Sequence, residues 1–139
     1  MAYNNYLILL GGVGGDVFPL EYIHYETYKV TPNQRMDIEA GRDSTGLLHR
    51  SVVSHSATKI EFETPYMDSN RVGTMMALIK KWWISTQERK IKVRYYDPET
   101  DSYKTGTFYM PDIEFNIRNI DTVNEVVNYE PIRIAFIEY

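Results

Sequence analysis

The side chains able to do chemistry in this 139-residue chain are few in kind: three histidines, His24, His49 and His55, and no cysteine. Metal ions such as zinc are held by imidazole, thiolate and carboxylate groups at short recurrent spacings. The histidines stand at no such spacing, and the lack of thiols removes Cys-based metal sites, thiolate nucleophiles and disulfides. Ser44, Ser51, Ser54 and Ser56 lie near His49 and His55 in sequence, but no Gly-x-Ser-x-Gly elbow singles out a nucleophile. Carboxylates recur two apart: Asp37 with Glu39, Glu61 with Glu63, and Asp97 with Glu99 and Asp101. On a strand such pairs share a face, so Glu61 and Glu63 could form an acid–base dyad; the simpler reading is the wet face of an amphipathic strand. Residues 97–102 are oxygen-rich, yet too short for a calcium loop and without its glycine and distal Glu. Gly11, Gly12, Gly14 and Gly15 follow an apolar run, as in a phosphate-binding loop. No Gly-Lys-Ser/Thr comes after them, and Val17 stands where a dinucleotide fingerprint wants glycine. The expectation is a non-enzymatic protein without metal or cofactor.

The elements that must position these residues are mostly strands. Residues 89–96 alternate Lys90, Lys92 and Arg94 with Ile91, Val93 and Tyr95, the period of a strand with one dry and one wet face. Pro98 and the flanking Asp97 and Asp101 supply turn chemistry. A return strand over 103–110 faces aromatic and β-branched residues across the ladder. This hairpin is the frame for the rest. Alternation also predicts strands over 21–31, 47–53, 58–64, 113–118 and 131–139, with turns at 32–35 and 111–112 and a polar loop at 42–46. Met36, Ile38 and Ala40 alternate with Asp37, Glu39 and Gly41. Residues 119–128 read as a loop or a ragged pair of strands.

One helix is expected, over about 69–84, capped by Ser69. Val72, Met75, Met76, Ile79, Trp82 and Trp83 fall three and four apart and form one apolar stripe, which lays the helix flat against the sheet. Met75 and Met76 in a partner groove would be the sharper reading of that stripe; a core stripe is the plainer one. Residues 6–10 read as a buried strand or as a segment docking on a neighbouring subunit. The glycines after them make residues 1–20 a flexible arm and leave 21–139 as a single domain.

The chain is long enough for one core and short for two. A hydrophobic content of 43% and an aromatic content of 14%, with twelve Tyr, fit a β-rich fold rather than disorder. Net charge of −4 argues against a broad basic nucleic-acid surface. No run approaches the roughly 18 apolar residues of a membrane span, and residues 6–10 without a basic flank do not read as a signal peptide.

Taken together, the aromatic strand ending Tyr28-Lys29-Val30, the polar run from Arg42 to Leu48, the strand Lys59-Ile60-Glu61-Phe62, the helix, and Tyr96-Asp97-Pro98-Glu99-Thr100 with Thr105-Gly106-Thr107-Phe108-Tyr109 form a recognisable order. That order resembles the small tail proteins of long-tailed phages and of prophages in Gram-positive bacteria. The resemblance implies a mainly β (α+β) fold, an antiparallel β-sandwich or split barrel with one packed helix, like tail-tube and distal-tail subunits. It implies a virion tail component, assembled in the host cytoplasm, that stacks as hexameric rings with other tail or baseplate proteins around a lumen where DNA passes without sticking. Exposed strand edges and loose apolar segments are liabilities in a monomer and assets where a neighbour pairs with them. Leu7, Leu9, Val13, Val17, Phe18, Leu47, Leu48 and Val52 are therefore the expected subunit contacts. On this view deleting residues 1–20 spares the fold and abolishes the rings. Two alternatives stand beside it. A head–tail connector or neck protein would use residues 119–128 as a channel-lining loop, and a carbohydrate- or peptide-binding module would use Tyr95, Tyr103 and Tyr109 as a platform.

Overall fold

The computed structural model describes residues 3–34, 37–42, 48–52 and 57–139, with side chains described at 3–32 and 57–139. Its frame is the expected hairpin. Strands β9 (Lys90–Asp97) and β10 (Ser102–Tyr109) pair without interruption from Ser102 opposite Asp97 to Tyr109 opposite Lys90. Ile91, Val93 and Tyr95 are buried while Lys92 is exposed, as the period-two pattern requires. Asp97 Oδ1 accepts from the Glu99 amide at 2.9 Å, and Asp101 takes φ +48°, a left-handed value that Asp tolerates in turns.

Around this pair the chain builds one large sheet. In sequence order its other strands are β1 (Ile8–Leu10), β2 (Asp16–Val17), β3 (Lys29–Gln34), β6 (Ala57–Glu63), β8 (Trp83–Ser85) and β13 (Arg133–Glu138). The spatial order is β2-β1-β9-β10-β13-β6-β3, with β8 also on β9. A ladder of β4 (Asp37–Arg42) with β5 (Leu48–Val52) stands apart as a two-stranded sheet. A third sheet, in the order β11-β12-β7, joins β11 (Ile117–Asp121), β12 (Val126–Tyr129) and β7 (Met67–Asp68). All of these pairings are antiparallel, and α1 (Ser69–Lys81) is the one α-helix among the described residues. The architecture is therefore mainly antiparallel β with one helix. Val72, Met75 and Ile79 of that helix enter a core with Ile60, Phe62, Phe108, Ile134 and Phe136, while Met76, Trp82 and Trp83 pack on its border.

Several expectations are corrected. Residues 21–31 do not form a strand: 3₁₀ turns occupy Leu20–Tyr22 and Tyr25–Thr27, and β3 begins only at Lys29. Tyr22 and Ile23 are both buried, which adjacent residues of a one-faced strand cannot achieve, and Thr27 Oγ1 donates to the His24 carbonyl at 2.7 Å to hold the second turn. Pro32 lies inside β3 rather than in a turn. The strand is at the sheet's edge, where proline's missing N–H costs no ladder bond, and its register shifts between Thr31 and Gln34. The helix is capped by Asp68, whose Oδ1 accepts from the Arg71 amide at 2.9 Å, while Ser69 Oγ accepts from Val127. It ends at Lys81, and Trp83 already belongs to β8. Past Pro111 the strand starts at Ile117 rather than Ile113, while residues 119–128 form most of the β11–β12 pair, as the ragged-pair alternative has it, with a register shift between Ile117 and Asn119. Arg42 closes β4, and the rest of the expected 42–46 loop lies outside the described residues.

The lead segment is no detached arm. Strand β1 pairs with β9, Ile8 opposite Tyr95 and Leu10 opposite Val93, and Ile8, Leu10 and Phe18 are all 0% exposed. An apolar run lying beside a sheet edge gains more from filling it than from waiting for a neighbour. The glycines serve that packing. Gly11 takes φ +87° beneath the Trp82 ring, and a Cβ at Gly15 would overlap the Leu10 carbonyl.

Candidate functional site

The polar groups singled out by chemistry are tied up in structure. Glu61 shares its face with Glu63, but its carboxylate is held by Arg133 Nη2 at 2.6 Å, with Lys59 at 3.9 Å. The Arg133 hydrogen bond keeps its pKa below the ordinary Glu range against the opposing effect of burial. This is the wet face of the sheet, closed by cross-strand ion pairs. Asp97 is buried; desolvation pushes its pKa up, and the hydrogen bonds from Lys104 Nζ (2.9 Å), the Glu99 amide and Thr100 outweigh it, leaving the carboxyl below its usual range. Its role is to fix the hairpin turn. Asp16 accepts from Lys81 Nζ at 2.9 Å and from Trp82 Nε1 at 3.0 Å, both of which lower its pKa, and so ties β2 to the helix end. His24 is exposed and lies 4.0 Å from Glu26. His49 and Ser51 stand on β5, and Ser44, Ser54, Ser56 and His55 lie outside the described residues. No group of three or more His, Asp or Glu placed to hold a metal occurs among the described residues, nor is any described helix long and apolar enough to cross a membrane.

What the fold presents instead is edges. Strands β4 and β5 pair only with each other among the described residues, from Asp37 opposite Val52 to Arg42 opposite Leu48. Six residues of β4 span roughly 20 Å of strand, with β5 on one edge and no strand on the other among the described residues. A lone two-stranded hairpin is marginal in water.

A second open edge is β11. Among the described residues it bonds only to β12, and it exposes Ile117 (58%) and Ile120 (63%), with Val123 (89%) in the turn beyond. Beside it, Arg118 of β11, Arg71 of the first helical turn, Tyr66, Asp68 and Asn128 line a cleft of about 200 Å³. Arg71 has Glu21 at 3.8 Å. Arg118 lies over the Tyr66 ring at 4.8 Å and has no carboxylate partner among the described residues. A third feature is an uncharged cleft of about 470 Å³ between Tyr3, Leu7, Leu20, Tyr25, Tyr28 and Tyr96. The buried Tyr28 hydroxyl beside it has no hydrogen-bond partner among the described residues, and burial pushes its pKa well above the usual tyrosine value.

The expected contact residues are divided by these facts. Val13 (78% exposed) and Val17 (46%) do face outward, whereas Phe18 is core and cannot meet a neighbour. Leu7 is half-buried in the tyrosine cleft, and Leu9 is half-buried on β1 between Val17 and Arg94. Leu48 and Val52 are paired on β5, and Leu47 lies outside the described residues. Of the tyrosine platform, Tyr95 is 2% exposed and bonded to Thr58; Tyr103 stacks on Tyr6, and Tyr109 packs edge-on against Tyr139. The β11 edge and its arginine cleft were missed by sequence reasoning. Their only signal was Ile117 and Ile120 bracketing Arg118 without strict alternation.

A family model described as a family of unknown function, DUF6711, matches residues 1–139. Neither the curated proteins nor the solved structures include a match.

Proposed function

We propose that this chain, which belongs to the DUF6711 family, is a non-enzymatic structural subunit of a phage or prophage tail that works by self-assembly. The carrying observation is the β4–β5 ladder, which meets no third strand on either outer edge among the described residues. Such an element gains stability when another chain supplies the next strand. The open β11 edge with exposed isoleucines supports the same reading, because a monomer normally blunts such edges. In this account the β-sheets close as a sandwich or split barrel of tail-tube type. Copies form a ring of about six with other tail or baseplate proteins, and DNA passes through the lumen. Native mass spectrometry of the full chain tests this: rings of about six subunits are expected, and a monomer at every concentration up to tens of micromolar overturns the reading.

One observation favours a second reading, a carbohydrate- or peptide-binding module: the tyrosine cleft beside the Tyr28 hydroxyl, which has no hydrogen-bond partner among the described residues. Its mostly apolar wall suits a peptide better than a sugar, whose hydroxyls would go unpaired. A monomer that shifts the Tyr25 and Tyr96 resonances on titration with a peptide would establish it.

A further inference from the structure

We infer that strand β4 (Asp37–Arg42) of one copy adds to the open edge of β11 (Ile117–Asp121) of the next, with Asp37 or Glu39 neutralising the Arg118 cleft. The inference rests on the self-assembly reading above and names its donor and acceptor. Both are antiparallel strands with a strand partner on one side only among the described residues. Joining them turns a two-stranded and a three-stranded sheet into one of five, within the range where sheets are independently stable.

Charge decides which strand of the hairpin docks. The cleft beside β11 holds two guanidinium groups, Arg71 with a long contact to Glu21 and Arg118 with no carboxylate partner among the described residues. The one carboxylate lining it, Asp68, is engaged in capping the helix. Strand β4 brings two carboxylates, Asp37 and Glu39, against one cation, Arg42, and is net acidic, whereas β5 has Arg50 as its one fixed charge and would set like charges together. Antiparallel addition of β4 also covers Ile117 and Ile120. Donor and acceptor are different surfaces of the same chain, so the contact is head-to-tail and builds a closed ring or a filament rather than a two-fold dimer.

Charge reversal in the full-length chain tests the pairing, with sedimentation velocity as readout and thermal unfolding as a check on folding. Arg118→Glu and Glu39→Arg should each raise the self-association constant for dissociation by at least about tenfold while leaving the unfolding transition in place. Asp37→Arg serves as the alternative donor reversal. A chain carrying Arg118→Glu together with a donor reversal should recover assembly. Should the wild type assemble and Arg118→Glu assemble equally well, or neither double reversal recover, this inference falls and the self-assembly reading survives. A monomeric wild type removes both.

Discussion

Gly11 lies against the face of Trp82, so close that a Cβ at position 11 would overlap Cε3 and stand 2.7 Å from Cζ3. Its φ of +87° is also one that L side chains avoid. The neighbouring Asp16 bonds the same indole and Lys81, so the glycine run is a fitted joint between the first strands and the end of the helix. Gly11→Ala should destabilise the protein by about 2–4 kcal/mol, combining the left-handed penalty with overpacking against the ring. Urea denaturation should show a lower midpoint with an unchanged slope.

Deleting residues 1–20 should unfold the chain rather than only disperse it. Ile8, Leu10 and Phe18 are fully buried, and each such side chain contributes about 1.5–3 kcal/mol. Together they approach the roughly 5–15 kcal/mol that holds a whole domain. Circular dichroism of the truncated chain should show no cooperative thermal transition. A sharp transition near that of the full chain would restore the idea of a separable arm.

Asp97 sets a pH dependence. Its folded pKa lies below the usual Asp value, so its contribution is complete above about pH 4 and is lost as pH falls through the folded value. Lys104, raised chiefly by its bond to Asp97, acts in the opposite sense: its contribution holds below about pH 10.4 and fades as pH rises through the raised value. Asp97→Asn should therefore cost about 2 kcal/mol at pH 7. The difference from wild type should close in acid, once the wild-type carboxyl is itself protonated. Denaturation midpoints measured from pH 2 to pH 8 for both proteins check the sign.

How far the fold was legible depended on whether local pattern and tertiary packing agreed. The β9–β10 hairpin was readable because Ile91, Val93 and Tyr95 alternate with charges and Pro98 marks the turn. The helical stripe was readable through Val72, Met75 and Ile79, although its cap was displaced by one residue to Asp68. Residues 21–31 misled because their aromatic alternation is shared by turns that bury Tyr22 and Ile23 side by side. The glycines misled for a different reason: the ring that demands Gly11 is far along the chain, and no local pattern shows it. At the candidate site, neighbours split between surface and core, Val17 outward and Phe18 inward. Edge status is a property of sheet order, so neither β11 nor β4 could be known as an edge before the pairing was seen.

The most direct test of assembly through the hairpin is sedimentation equilibrium of the full chain beside a variant in which residues 37–52 are replaced by Asn-Gly, a two-residue turn. Every described core residue lies outside 37–52, and both proteins should unfold in one transition at similar temperature. The account predicts a concentration-dependent oligomer of about six for the full chain and a monomer for the shortened one. A shortened chain that assembles as the full chain does, or a full chain that stays monomeric throughout, would contradict it.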